Sequence, residues 1–184
     1  TEFKGLKKGI IKTNNGIIIN ANEFEYDKIS NILNAKGNVK INDTFRNYII
    51  YSDEIIYEKN IEKILTKGNS IAKSDNTTIK ADEFEYFKIL NLIKAKKNVE
   101  IKDMVNDYII FADQIEYDKN LEKISTNGFT KGEFETKYTL STSDVSFLIN
   151  EMEFSSSESA TILTHNNVLY EFEKFKYFIN EKIL

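Results

Sequence analysis

The sequence contains no cysteine, no proline and no tryptophan, and only one histidine. Without cysteine there is no disulfide framework and no thiolate metal site. That absence leaves the compartment open, since a cysteine-free chain suits either side of an inner membrane. Without proline, nearly every backbone N–H is available to sheet ladders. No apolar run reaches the roughly 18 residues that a membrane-spanning helix needs. There is no basic excess either: 25 Lys and Arg stand against 29 Asp and Glu, a net charge of −4. A surface that neutralises phosphates needs the opposite balance, so nucleic acid is not an expected partner. Position 1 is Thr and no secretory apolar segment follows it. Thr1 therefore reads as the start of a mature or trimmed chain, with any targeting segment outside it.

What is present is enough for a core. The 184 residues are 41% hydrophobic and 29% charged, which suits one packed domain or one elongated array rather than disorder. The dominant feature is internal repetition. "ANEFEYDKISNILNAKGNVKIND" (Ala21 to Asp43) returns sixty residues later as "ADEFEYFKILNLIKAKKNVEIKD" (Ala81 to Asp103). A second class alternates with it: "NYIIYSDEIIYEKNIEKILTKGN" (Asn47 to Asn69) and "DYIIFADQIEYDKNLEKISTNGF" (Asp107 to Phe129). Each unit closes on an aromatic, at Tyr26, Tyr57, Tyr86, Tyr117, Phe147 and Tyr177. These aromatics are spaced by 31, 29, 31, 30 and 30 residues.

Within a unit the pattern has period 2. Tyr108, Ile110 and Ala112 alternate with Ile109 and Phe111. The parity then slips by one at Asp113, and Ile115 and Tyr117 continue the same series. A one-residue slip would turn the side chains to the opposite face unless a bulge or corner restores them. Val, Ile, Thr, Tyr and Phe fill the runs, while Gly, Asn and Asp fill the breaks. A helical reading of Glu23 to Ala35 is opposed by the β-branched alternation and the breaks on either side. Lys97 stands where the earlier copy has Gly37. A unit of two strands cannot bury its apolar face alone, but stacked units can. The pattern predicts about six two-strand repeats of about 30 residues, a dozen short strands in one all-β stack.

Catalytic constellations are missing. Glu23/Glu25 and Glu83/Glu85 share a strand face opposite Phe24 and Phe84, which reads as a solvated outer face rather than a cleft. His165 lies in a loop-like "THNN", and the serines at 155 to 157 have no base partner in view. The recurrent aspartates read as corner caps. The expectation is a protein that is not an enzyme, with no cofactor and no metal site.

The phrase Ala-Asp-x-Ile/Phe-Glu-Tyr, with Asn22 for Asp in the first copy, followed by Ala-x-x-Asn-Val-x-Ile, is carried by Ala21 to Ile41, Ala81 to Ile101 and, in variant form, Ala112 to Gly128. It resembles the OstA-like repeats of the lipopolysaccharide transport (Lpt) family, over residues 16 to 184. The resemblance implies an elongated, twisted, V-shaped β-jellyroll as a single domain, with residues 1–15 as a lead-in edge strand. It implies a periplasmic module, not an enzyme, whose apolar groove shields the acyl chains of lipopolysaccharide (lipid A). The expected groove lining is Ile19, Phe24, Tyr26, Leu33, Val39, Ile50, Ile55, Tyr57, Ile79, Phe84, Tyr86, Ile93, Val99, Ile110, Ile115, Tyr117, Leu140, Val145, Phe147, Phe175 and Tyr177. It also implies head-to-tail pairing of edge strands with a neighbouring jellyroll. The donors and acceptors would be Lys8 to Lys12 or Gly16 to Asn20 at one end and Tyr170 to Leu184 at the other.

The last unit breaks off in mid-pattern, which reads as a cut inside a longer chain. The favoured branch is therefore the family's outer-membrane assembly component. In that branch a C-terminal β-barrel follows the jellyroll and a lipoprotein plugs the barrel, so the module sits in the periplasm attached to the outer membrane. In members of that branch, cysteines in this region tether it to the barrel; this segment has none. The alternatives are the stand-alone periplasmic bridge of the same family and a lipid-free structural β-solenoid. A carbohydrate-acting β-helix is a weaker reading, because no outer carboxylate cluster accompanies the repeats.

Overall fold

Among the described residues, the runs of β-branched and aromatic residues become nineteen strands in the computed structural model, joined by hairpin turns and one short 3₁₀ turn at Lys59–Ile61. The structure describes residues 2–178 except Leu6, Asp75 and Thr136. The end of the expected C-terminal pairing segment, residues 179–184, lies outside the described residues. The strands are β1 (Glu2–Gly5), β2 (Gly9–Lys12), β3 (Ile17–Ala21), β4 (Glu23–Asp27), β5 (Ile32–Asp43), β6 (Tyr48–Glu58), β7 (Lys63–Lys67), β8 (Ser70–Ser74), β9 (Thr77–Ala81) and β10 (Glu83–Phe87). They continue as β11 (Leu92–Asp103), β12 (Tyr108–Asp118), β13 (Lys123–Phe134), β14 (Tyr138–Ser143), β15 (Ser146–Leu148), β16 (Glu153–Ser156), β17 (Ala160–Thr164), β18 (Leu169–Phe172) and β19 (Phe175–Phe178).

All pairings are antiparallel, and the sheet folds over on itself along a line of corners. The long strands β5, β6, β11, β12 and β13 cross that line and belong to two layers. The first half of β5 pairs with β4, and its second half with β3. The first half of β11 pairs with β10, and its second half with β9. The start of β13 pairs with β15, and its end with β14. One layer thus runs β1, β4, β7, β10, β15, β16 and β19 between the matching halves of the long strands. The other runs β2, β3, β8, β9, β14, β17 and β18. The fold is an all-β jellyroll. It has more strands than the dozen expected, because the corners that the long strands do not run through, as between β3 and β4, β7 and β8, and β9 and β10, divide the chain into separate strands of different layers.

The corners explain the parity slip. Register shifts fall between Lys36 and Val39, Lys96 and Val99, and Ala112 and Gln114. An extra residue in one strand re-aims the next side chain, so the inward series resumes beyond the bend. At the corner of β5, Gly37 has φ +74° and Asn38 φ +50°. A Cβ on Gly37 would come within 2.8 Å of the Asn22 amide, so glycine answers both the backbone conformation and the crowding. The sixty-residue copy has Lys97 at φ +65° in the same place, opposite Asp82 rather than Asn22. Its ammonium reaches Glu83 at 2.6 Å, and Asn98 donates to Asp82 at 3.1 Å. Corner aspartates do cap: Asp53 accepts from Asn69 at 2.8 Å and Asp144 from the Gly128 N–H at 2.8 Å.

The opposite edge of each layer is a row of hairpin turns. Asp43 accepts from the N–H groups of Phe45 and Arg46, both at 3.0 Å. Asp103 does the same for Val105 and Asn106, at 2.8 and 2.9 Å. These are side-chain-capped turns, the local device that suits Asp ahead of a tight reversal.

Between the layers lies one continuous apolar core. Rings bridge it from layer to layer. Tyr48 meets Tyr86 edge-on at 5.4 Å, and Tyr108 meets Phe147 in the same way at 5.1 Å, two rungs further on. Phe134 meets Phe154 at 5.3 Å and Tyr177 at 5.7 Å. Edge-to-face geometry at these separations is the favoured one for aromatic pairs.

Candidate functional site

The inward set has one face to offer, and the strand pleat sends it there. Ile19, Leu33, Val39, Ile50, Ile55, Tyr57, Ile79, Phe84, Tyr86, Ile93, Val99, Ile110, Ile115, Tyr117, Leu140, Val145, Phe147, Phe175 and Tyr177 are buried in the core, and Phe24 and Tyr26 pack against it half-buried. Tyr170, which the inward alternation also reaches, is 46% exposed, because β18 has only β17 beside it among the described residues. Glu85 faces outward, as the alternation requires, and is held between Lys96 at 2.8 Å and Lys63 at 3.0 Å. These two hydrogen-bonded ammoniums hold its carboxyl below the usual carboxylate range.

The interior becomes accessible at the N-terminal end. A cavity of about 510 Å³ is lined there by Phe3, Ile11, Tyr26, Leu33 and Tyr57, with Lys12, Asn15, Lys59 and Glu62 among its polar groups. Three residues of the expected lining, Tyr26, Leu33 and Tyr57, meet in it. The other eighteen lie in the core or against it, away from this chamber. A larger concavity of about 720 Å³ lies on the corner side, with Asn20, Asn22, Asn38, Asp53 and Asn69 around it beside Ile10, Ala21 and Val39.

The inner wall of the chamber holds charged groups that the alternation does not flag. Lys88 is 2% exposed and Asp43 is 1% exposed. The Lys88 ammonium donates to the backbone oxygen of Asn15 and lies 3.9 Å from Asp43 Oδ2 and 3.7 Å from Glu62 Oε2. The ring of Phe45 sits 5.5 Å from it. Tyr86 donates to Asp43 Oδ2 at 2.8 Å. Asn15 donates to Tyr57 at 3.0 Å and also contacts Glu62. Burial, aided by the Asp43 carboxylate, pushes the Tyr86 hydroxyl well above the ordinary tyrosine range. Burial raises Tyr57 as well, against the hydrogen bond from Asn15. Further along, Lys119 donates to Ser74 at 2.9 Å across the same edge, over the ring of Tyr48.

The sequence carried one signal for this cluster. Two residues after each of the first five closing aromatics stand Lys28, Lys59, Lys88, Lys119 and Ile149. A lysine in a hairpin turn reads locally as solvated, so the burial of Lys88 depends on the other layer coming close.

No family model matches the sequence, and no curated protein matches it. Solved structures do match in fold. Among them is LptH of Pseudomonas aeruginosa, the LptA-homologous periplasmic component of the conserved lipopolysaccharide transport device. The similarity covers 55% of this chain and 75% of that one, at 15% identity and a TM-score of 0.50. At that identity the likeness speaks for the fold, an all-β jellyroll.

Proposed function

We propose that this chain is a lipopolysaccharide-transport module, a carrier that shields acyl chains between its two layers in the periplasm. The observation that carries this reading is the apolar interior, continuous over the rungs and opening at one end into a chamber of aromatic and aliphatic side chains. An acyl chain in water costs about 0.8 kcal/mol per CH₂, so a carrier must offer it continuous apolar surface. The jellyroll likeness to a periplasmic transport component supports the same reading. The groups at the chamber mouth suit an anionic amphiphile, with Lys12 and Lys59 beside the apolar wall. Binding and transfer, rather than bond making, are the proposed activity.

The end strands supply the docking device. β1 and β2 each pair on one side only, and so do β18 and β19, among the described residues. Such edges invite a neighbouring strand, and a second jellyroll of the transport bridge is the proposed partner at each end. The finer proposal places the module at the N-terminal side of an outer-membrane assembly protein of the LptD kind, ahead of a β-barrel with its lipoprotein plug. The LptA-like stand-alone bridge is the alternative. The coding sequence downstream of Leu184 decides between them: alternating strands of about ten residues, continued far enough to close a barrel, mark the assembly protein.

A second reading is favoured by the cross-layer aromatic pairs. They fill the interior with the chain's own side chains, as a structural scaffold would require. Photo-crosslinking separates the two. A benzoylphenylalanine at Tyr26 or Leu33 should form adducts with purified lipopolysaccharide, whereas the same group at the outward Glu25 or Asn34 should not. Adducts at the outward pair alone, or at none of the four, would sink the carrier reading.

A further inference from the structure

The interior is not uniform along its length. Of the five equivalent turn positions, Lys28 and Lys59 are exposed, Lys119 is half-buried and bonded to Ser74, and Ile149 packs on the core, while Lys88 is a fully buried cation. Its contacts run from the turn after β10, in one layer, to Asn15 and Asp43 in the other. Asn15 and Glu62 also line the open chamber. Beyond Lys88 the core is closed: Tyr86 pairs with Ile64, stacks edge-on against Tyr48 and caps Asp43. The polar cluster therefore stands beside the apolar wall of Leu33 and Tyr57, where the chamber at Asn15 and Glu62 meets the packed interior at Tyr86.

We infer that Lys88 is a latch joining the two layers at this point, and that its release is the step by which a chain held in the chamber moves inward. The first half of the inference stands on geometry alone; the second rests on the carrier reading above.

Three observations carry the latch. First, the ammonium is held by one backbone oxygen and by two carboxylates at 3.7 and 3.9 Å, beyond hydrogen-bond length. Water or an anionic group could replace these partners, so opening at this point is cheaper than at an apolar rung, where water has nothing to offer. Second, Ile149 occupies the equivalent position two rungs on, where Asp103 is buried in the place of Asp43, so the fold closes there without a buried ammonium. A lysine at 88 is thus not a requirement of the repeat. Third, the turns along this edge carry exposed apolar side chains on both layers: Ile29, Ile89 and Leu90 on one, Phe45, Met104 and Val105 on the other. If the layers part, these residues flank the opening and offer an acyl chain apolar contact on each side.

The chain has no cysteine, so a single engineered thiol reports access. Ala95, buried on β11 opposite Phe84, lies behind the latch; Ala160, buried on β17, lies in the C-terminal part of the core. Maleimide is reacted with Ala95→Cys and Ala160→Cys in otherwise native protein. Lys88→Met should raise the rate at position 95 about tenfold or more and leave position 160 within about twofold, the pattern of local rather than global opening. Lys88→Ile combined with Asp43→Asn, which removes the buried ammonium and its carboxylate partner together, should restore the slow rate. Glu62→Gln is the milder variant if Lys88→Met does not fold, and should shift position 95 in the same direction. Equal acceleration at both thiols, or none at position 95, overturns the latch.

A lipid arm uses purified lipopolysaccharide and a photo-crosslinker at Leu33 or Ile93. Native protein should give adducts at Leu33 only, and Lys88→Met at both. Equal adducts at Ile93 in native and variant protein overturn the latch as the control on entry. If neither site gives an adduct while position 95 still responds to Lys88, the carrier reading fails and the latch stands.

Discussion

Phe154→Ala tests whether the two layers are held by a packed interior. Phe154 is fully buried on β16 and is the hub of the C-terminal aromatic cluster. Its ring centroid lies 5.3 Å from Phe134, 5.5 Å from Phe147 and 6.1 Å from Phe175. Removing a buried phenyl ring from a site that collapses only partly costs about 3–5 kcal/mol. The contact with Phe134 comes from the other layer, so part of that loss is coupling between layers. A double-mutant cycle of Phe154→Ala with Phe134→Ala should show an interaction of about 0.5–1.5 kcal/mol. For a domain of this length each kcal/mol moves Tm by about 2–4 °C, so the single variant should melt roughly 6–20 °C lower. Urea unfolding followed by circular dichroism measures the free energies, and the melting curve gives an independent check. Phe129 is the control. It is 59% exposed on β13, and Phe129→Ala should stay within about 0.5 kcal/mol of native. A loss below about 1.5 kcal/mol for Phe154→Ala, less than the lower end of the large-to-small range, would refute a close-packed interior. So would a coupling of zero with Phe134.

The remaining expectations are smaller in scope. Gly37→Ala should cost about 1–3 kcal/mol in urea unfolding, since it places a Cβ at φ +74° and 2.8 Å from the Asn22 amide. Lys97→Gly, at the equivalent corner, should stay within about 1 kcal/mol, because relief of the left-handed backbone is offset by the added freedom of the unfolded chain. Burial raises Tyr86, Tyr108 and Tyr117 above the ordinary tyrosine value. A group raised in the folded state stabilises fully below its unfolded pKa and loses that contribution as pH climbs past it, so stability should fall above about pH 10. Tyrosinate absorbance should then rise together with loss of the sheet signal; full ionisation of the folded protein near pH 10 would contradict this. Glu85 runs the other way: its carboxyl is depressed by Lys96 and Lys63, so its contribution is present above about pH 4.3 and fades as pH falls through the folded value. Glu85→Gln should flatten the acid limb of the stability profile, and an unchanged slope would discount that ion cluster.

Much of this architecture is legible in the residues alone. Strict alternation places Ile17 and Ile19 on one face of β3 whatever lies opposite, because successive side chains in a pleated strand point to opposite sides. The parity slip at Asp113 marks a corner, since only a bend or bulge keeps Ile115 on the face of Ile110. The regular spacing of the closing aromatics sets the number of rungs and their stacking order. What alternation cannot specify is the distance between the two layers. That distance follows from the ring sizes meeting across it, as in Tyr48 with Tyr86 and Phe134 with Phe154, whose partners are 38 and 20 residues apart. It determines that most of the inward set is packed core and that Tyr26, Leu33 and Tyr57 share an open chamber. The same limit hides Lys88. Its neighbours in sequence describe a hairpin turn in water, and its burial arises only because Asn15 and Asp43, from the other layer, close over it. Period and parity are properties of one strand and its neighbours; the depth of the interior and the charge sealed within it belong to the contact between layers.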